Sequence, residues 1–191
     1  HNDIARIWEM ENFYSIFADI DQKKRSEGFT IFPKKFHEIG FRHLKLMKYY
    51  AEKYGITASG VDICNVSVEY AKHKGYEAEH FDLNYISPEN NINLSGSNLV
   101  ACYHVLEHVV DPLHAIANIY EAMDDLTVFH VEVPLENTPN VKYGHLFPFH
   151  KEDLPTMLAA VGFDILGVAY HQAPGYAYER VIAIKNFQLY N

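Results

Sequence analysis

The chain has 191 residues, 48% of them apolar and 14% aromatic, enough to bury the core of one ordinary domain and too apolar for a disordered chain. Sixteen basic against 25 acidic residues leave a net charge of −9, which argues against nucleic acid and anionic membrane as partners. No run approaches the ~18 apolar residues of a membrane span, and the first residues do not read as a signal peptide. Two cysteines, Cys64 and Cys102, are too few for a disulfide framework, so a reduced, cytoplasmic setting is expected. The chain opens on His1, and further residues are expected upstream of it.

Residues 1–30 carry Ile4, Ile7, Trp8, Phe13, Ile16, Phe17 and Ile20 at three- and four-residue spacings, a helical segment whose apolar stripe suits packing. From residue 31 to 191 short strands alternate with helices. Phe36 to Ile39 reads as a strand closed by Gly40, and Lys45 to Tyr54 as a helix stopped by Gly55. Ile56 to Ile63 is a buried strand, followed by a helix capped by Asn65 or Ser67 and ending at Gly75. Tyr76 to Phe81 is a further strand, and the Asn-, Ser- and Gly-rich stretch 84–97 a surface loop. Leu99 to Tyr103 is a strand; Asp111-Pro112 opens a helix that runs to about Met123. After the strand Leu126 to Val133 comes a long loop with Pro134, Pro139, Gly144 and Pro148, and then a helix from Asp153 to Gly162. The strands Phe163 to Tyr170 and Glu179 to Lys185 lack an intervening helix and are expected to pair antiparallel across about eight loop residues. The expectation is a three-layer α/β fold with a seven-stranded, mostly parallel sheet and an antiparallel last strand.

In such a sheet ligands gather beyond the carboxyl ends of the strands, where this sequence places Gly40, Asp62, Asp82, Tyr103-His104 and Pro134. A carboxylate ending the second strand suits a ribose diol, because its two oxygens match two vicinal hydroxyls. One strand further out, Asp82 is placed to meet the amine of an adenine. The competing reading for either aspartate is a helix cap or a turn.

The runs Val61-Asp62-Ile63, Phe81-Asp82-Leu83 and His104-Val105-Leu106-Glu107-His108-Val109-Val110-Asp111-Pro112 resemble the class I methyltransferases that use S-adenosylmethionine, in particular the small-molecule branch with ubiquinone-biosynthesis-type O-methyltransferases. The later stretch from Gly144 to His150, with Ala160-Val161-Gly162-Phe163, is similar to the same group, and the resemblance spans about residues 36 to 185. It implies a small-molecule acceptor, S-adenosylmethionine as cofactor and, as the alternative to packing, a lid role for the helical segment 1–30. By position, Glu38, Gly40 and Arg42 belong to the first motif, Asp62 and Ile63 to the ribose site, and Asp82 and Leu83 to the adenine site. Tyr103 and His104 fall beside the methionine part, while Glu107 and His108 belong to the motif in a structural or catalytic role. His145, His150 and His108 are the candidate bases.

The first motif departs from the family's Gly-x-Gly-x-Gly: in Glu38-Ile39-Gly40-Phe41-Arg42-His43-Leu44 only Gly40 remains. Arg42 either fills the methionine pocket or points away and pairs with the cofactor carboxylate. Two lost glycines favour a blocked or weakened pocket, and with it the alternative of a methyltransferase fold serving as a binding or scaffolding module. His104, Glu107 and His108 also match the H-x-x-E-H zinc-hydrolase pattern, a remote alternative because the segment follows a strand directly and precedes a separate helix start.

Overall fold

The computed structural model describes residues 34–136, 144–173 and 175–186. The N-terminal segment 1–30, with Trp8, lies outside these residues, as does Tyr143. Seven strands form one sheet: β1 (Lys35–Ile39), β2 (Thr57–Asp62), β3 (Glu77–His80), β4 (Leu99–Tyr103), β5 (Val128–Leu135), β6 (Phe163–Ala173) and β7 (Tyr176–Lys185). Their order is β3-β2-β1-β4-β5-β7-β6. The five strands from β3 to β5 pair in parallel, and β7 runs antiparallel to both β5 and β6. This is the Rossmann-like sheet expected from the sequence, with the last strand reversed.

Alternation within each strand separates two cores. Phe36, Leu99 and Ala101 face α1 (Lys45–Tyr54) and α2 (Asn65–His73), which contribute Leu46, Met47, Tyr50, Val68 and Ala71. Ile39, Val100, Phe129 and Val131 face α3 (Pro112–Ala122) and α4 (Asp153–Val161), which contribute Ile116, Ile119, Leu154 and Leu158. Among the described residues no helix is long and apolar enough to cross a membrane.

Local chemistry explains most boundaries. Asp111 caps α3 by accepting the His114 N–H at 2.9 Å, with Pro112 in the first turn. Gly55 ends α1 in the left-handed region. Four features differ from the sequence reading, the first being β5, which starts at Val128 and runs through Pro134, expected in the loop, to Leu135. Neither Asn65 nor Ser67 caps α2: Cys64 holds that position without a side-chain bond, and its N–H donates to Asp62 Oδ1 at 2.8 Å. The stretch 84–97 is not wholly a surface loop, because Ile86, Ile92 and Leu94 are buried in the core beneath α3. β6 and β7 extend towards each other until only residues 174–175 separate them, so the loop of about eight residues becomes a tight hairpin.

A buried histidine lies within β1. His37 is buried beside Ser59 Oγ, at 3.0 Å from its Nδ1. Burial, with the nearby Lys35 charge, lowers its pKa from 6.5 to about 4. The folded state therefore refuses a proton that the unfolded chain accepts. Stability is full above about pH 6.5 and falls as pH drops towards 4, by about 3 kcal/mol for a shift of this size. Urea unfolding across that range should show this acid limb, and His37→Gln, which keeps a partner for Ser59 without titrating, should flatten it.

Candidate active site

The site is built at the carboxyl end of β1, where chain connections leave the sheet in opposite directions. In the turn that follows, Gly40, Arg42 and Leu44 have φ of 76°, 41° and 59°. The backbone thus keeps the left-handed path at all three positions of the expected glycine motif, although two carry side chains. At Gly40 the requirement is also steric, since an added Cβ would collide with Cγ2 of Val105. Arg42 and Leu44 each bear a left-handed cost of about 1–2 kcal/mol, and each is held by a separate interaction. The Arg42 N–H donates to Asp62 Oδ2 at 2.7 Å. Leu44 turns into the core with Phe36, Met47 and Tyr50, where it is buried, and burial of a leucine is worth about 1.5–3 kcal/mol.

Asp62 ends β2 and is buried, with one oxygen accepting from Arg42 and the other from Cys64. Each oxygen retains a second lone pair. Above this carboxylate opens a cleft of 530 Å³, within the ordinary range for small-molecule sites. Of the residues expected there, Gly40, Arg42, Asp62, Ile63, Asp82, Leu83, His104 and His108 line it. Ile63 is exposed to the extent of 61%, an apolar side chain standing at the mouth. Asp82 caps the single turn Leu83–Tyr85 through Oδ1, which accepts both N–H groups of Asn84, from the backbone and the side chain; the cap and the cleft-lining role coexist in one residue. Among the described residues the cleft is open, with the exposed Arg42 side chain on its wall and not filling it, which goes against the blocked half of the blocked-or-weakened expectation. Leu44 does not reach the cleft.

Four expected residues lie apart from it. Glu38 is buried within β1, and Tyr103 is buried with its hydroxyl 2.5 Å from His130 Nδ1. His150 is exposed, and its backbone N–H donates to Asp153 Oδ2 at 2.7 Å at the start of α4. His145 does not line the cleft but packs edge-on against His108, with ring centroids 5.1 Å apart.

His104 adopts φ 54° at the end of β4, and the short turn Leu106–His108 follows. His104 and His108 therefore do not share a helix face, which removes the geometry of the H-x-x-E-H zinc reading. His104 instead bridges two carboxylates: Nε2 donates to Glu132 Oε1 at 2.8 Å, and Nδ1 lies 3.4 Å from Glu107 Oε1. Burial opposes its charge, but the hydrogen bonds and charges of Glu107 and Glu132 outweigh this and push the pKa up to about 9. His104 is thus an imidazolium at neutral pH and no general base. Glu132 is held from its other side by Arg180, whose Nε donates to Oε2 at 2.7 Å.

Sequence reasoning missed Glu132, Glu136 and Arg180. The available signal was a charged residue inside an otherwise apolar strand, as in Val131-Glu132-Val133, because such a charge is buried only when paired.

Comparison with known proteins agrees with this geometry. The family described as a methyltransferase domain matches residues 38–168, more than half of the chain. The chain belongs to this family and, with it, to the class I S-adenosylmethionine-dependent methyltransferases. No curated protein matches the sequence. Among solved structures, magnesium protoporphyrin IX methyltransferase from Synechocystis with bound S-adenosylhomocysteine has a TM-score of 0.62 at 15% identity, over 90% of this chain and 83% of that one. A putative sarcosine dimethylglycine methyltransferase from Galdieria sulphuraria gives 0.63 at 10% identity, over 80% and 78%. The [4+2]-cyclase SpnF gives 0.64 at 14% identity, over 79% and 75%. At these identities the likeness is one of fold.

The two substituted glycine positions should respond in opposite ways. Arg42→Gly relieves a left-handed side chain and loosens the unfolded chain, so urea unfolding should show no loss of stability and a gain of up to about 1 kcal/mol. Leu44→Gly empties a core position and should cost about 2–5 kcal/mol.

Proposed function

We propose that this protein transfers a methyl group from S-adenosylmethionine to a small-molecule acceptor. The observation that supports this most directly is the open cleft over Asp62, floored by a turn that keeps its left-handed path without the glycines. The residues present fit the cofactor. Asp62 has a lone pair on each oxygen for a ribose diol, Ile63 offers an apolar face to a flat ring, and Gly40 allows close backbone approach. Asp82 and the Leu83 backbone are placed for the adenine edge.

When bound, S-adenosylmethionine supplies an electrophilic methyl group on a sulfonium. The chain's own task is mostly positioning, holding an acceptor in line with that methyl. The His104 imidazolium on the cleft wall favours the cofactor carboxylate and gives up no proton at neutral pH. The acceptor's proton leaves on the side of His108, the candidate base that lines the cleft; His145 supports it from behind, and His150 has no part in the step. The acidic surface favours a small molecule over nucleic acid as acceptor.

A second reading has its own support. The [4+2]-cyclase among the structural neighbours shows that this fold also carries other chemistry, so a module that binds without transferring methyl remains the competing reading. Calorimetry with S-adenosylhomocysteine separates the two. Binding with a dissociation constant on the order of micromolar, weakened at least about tenfold by placing a charge at the cleft mouth with Ile63→Asp, is the expected result. No heat at millimolar ligand would leave the binding module as the answer.

A further inference from the structure

We propose that Glu107, His108 and His145 form a divalent-metal site at the edge of the cleft, suited to a first-row ion such as Zn²⁺, Fe²⁺ or Mn²⁺. One ligand atom from each of the three lies within 4.8 Å of the others. Two imidazoles and a carboxylate make a mixed nitrogen and oxygen donor set that fits these ions better than Mg²⁺ or Ca²⁺, which prefer oxygen alone.

The tautomers carry the argument. His108 Nδ1 lies 2.7 Å from the Gly144 carbonyl oxygen. His145 Nδ1 lies 2.5 Å from Glu136 Oε1. A carbonyl and a carboxylate accept and do not donate, so both Nδ1 atoms carry the proton in the neutral rings and both Nε2 atoms hold an open lone pair. That is the arrangement of metal-bound histidines, each oriented by an acceptor behind it. Glu107 supplies the independent observation. It is 1% exposed, Oε1 pairs with His104, and Oε2 has no hydrogen-bond partner. The oxygen that faces His108 is Oε1, and a buried carboxylate with its other oxygen unpartnered is under-satisfied, so a cation beside Oε1 adds charge compensation to a group otherwise met only by imidazoles.

Metal–ligand bonds of about 2.1 Å place neighbouring donors about 3–3.5 Å apart. His108 Nε2 now lies 3.9 Å from Glu107 Oε1, and the His108 side chain is half exposed, so a modest ring rotation closes the site. Three protein ligands leave positions open for an oxygen of a molecule in the adjoining cleft. The ion would occupy His108 Nε2 and so replace that ring as the aid to deprotonation: it would lower the oxygen's pKa, and the proton would pass to solvent rather than to His108. This last step rests on the methyl-transfer reading, whereas the site itself does not.

The test uses the full chain, stripped with EDTA and titrated with Co²⁺ as a spectroscopic probe. One equivalent should bind with visible d–d absorption, and excess Mg²⁺ should not displace it. His108→Gln and His145→Gln should abolish the signal, and Glu136→Gln, which alters the support behind His145, should weaken affinity about 10–100-fold. His80→Gln, at an exposed strand histidine elsewhere, should change nothing. Melting curves identify a variant that fails to fold, and Glu136→Gln then decides. Absence of stoichiometric binding overturns the site, and so does binding that survives all three substitutions, which would assign the ion to other histidines. Loss of S-adenosylhomocysteine binding with Co²⁺ binding intact would instead remove the cofactor reading and leave the metal site standing.

Discussion

The carboxylate of Asp62 joins the two turns that make the floor of the cleft. One oxygen holds the Arg42 N–H from the turn after β1, and the other holds the Cys64 N–H that opens α2. Hydrogen bonds to a charged acceptor are worth about 1.5–3 kcal/mol each, comparable to the left-handed cost at Arg42. The same contacts satisfy a carboxylate that would otherwise be buried without partners. This explains how a glycine-motif turn persists with arginine at its centre: its path is held by an accepted N–H rather than by the absence of a Cβ. Any change at Asp62 therefore moves the turn, the helix start and the ligand site together.

A second chain of charges reaches the same cleft from the other half of the sheet. Arg180 on β7, Glu132 on β5, His104 after β4 and Glu107 in the following turn alternate in sign across neighbouring strands. The register makes this possible, since Glu132 stands opposite both Tyr103 and Arg180. Reversal of the last strand thus has a chemical consequence as well as a topological one, because it sets a guanidinium behind the carboxylate that orients His104. The charges cancel in pairs, which makes their burial tolerable.

Much of the fold was legible because its signals are local. Alternating apolar strands, the Asp111-Pro112 start and the stop at Gly55 lie within a few residues of what they determine. Asp62, Asp82, His104 and His108 could be placed beside the cleft from the sequence because the carboxyl ends of the strands are where such sheets open a crevice. Other features depend on directions in space. Leu44 was aligned with a glycine facing the ligand, yet its left-handed backbone turns the side chain into the core. Ile86, Ile92 and Leu94 sat in a stretch with loop composition, and their burial follows from what lies beneath that loop. His145 is 37 residues from His108 in sequence, and the two rings meet only in the folded chain.

The two halves of the cleft are made of different materials, and this bears on how one fold supports methyl transfer and, in a structural neighbour, cyclisation. On the side of β1 and β2 the site consists largely of backbone: a left-handed turn, two N–H groups and the carboxylate that holds them. Its shape follows from the sheet and tolerates an arginine where a glycine was expected. On the side of β4 it consists of side chains on turns, His104 and His108, with Glu107 beside them and His145 and Glu136 behind. His108 lines the cleft and also faces His145, so that one imidazole joins the backbone-built half of the cleft wall to the cluster of side chains beside it.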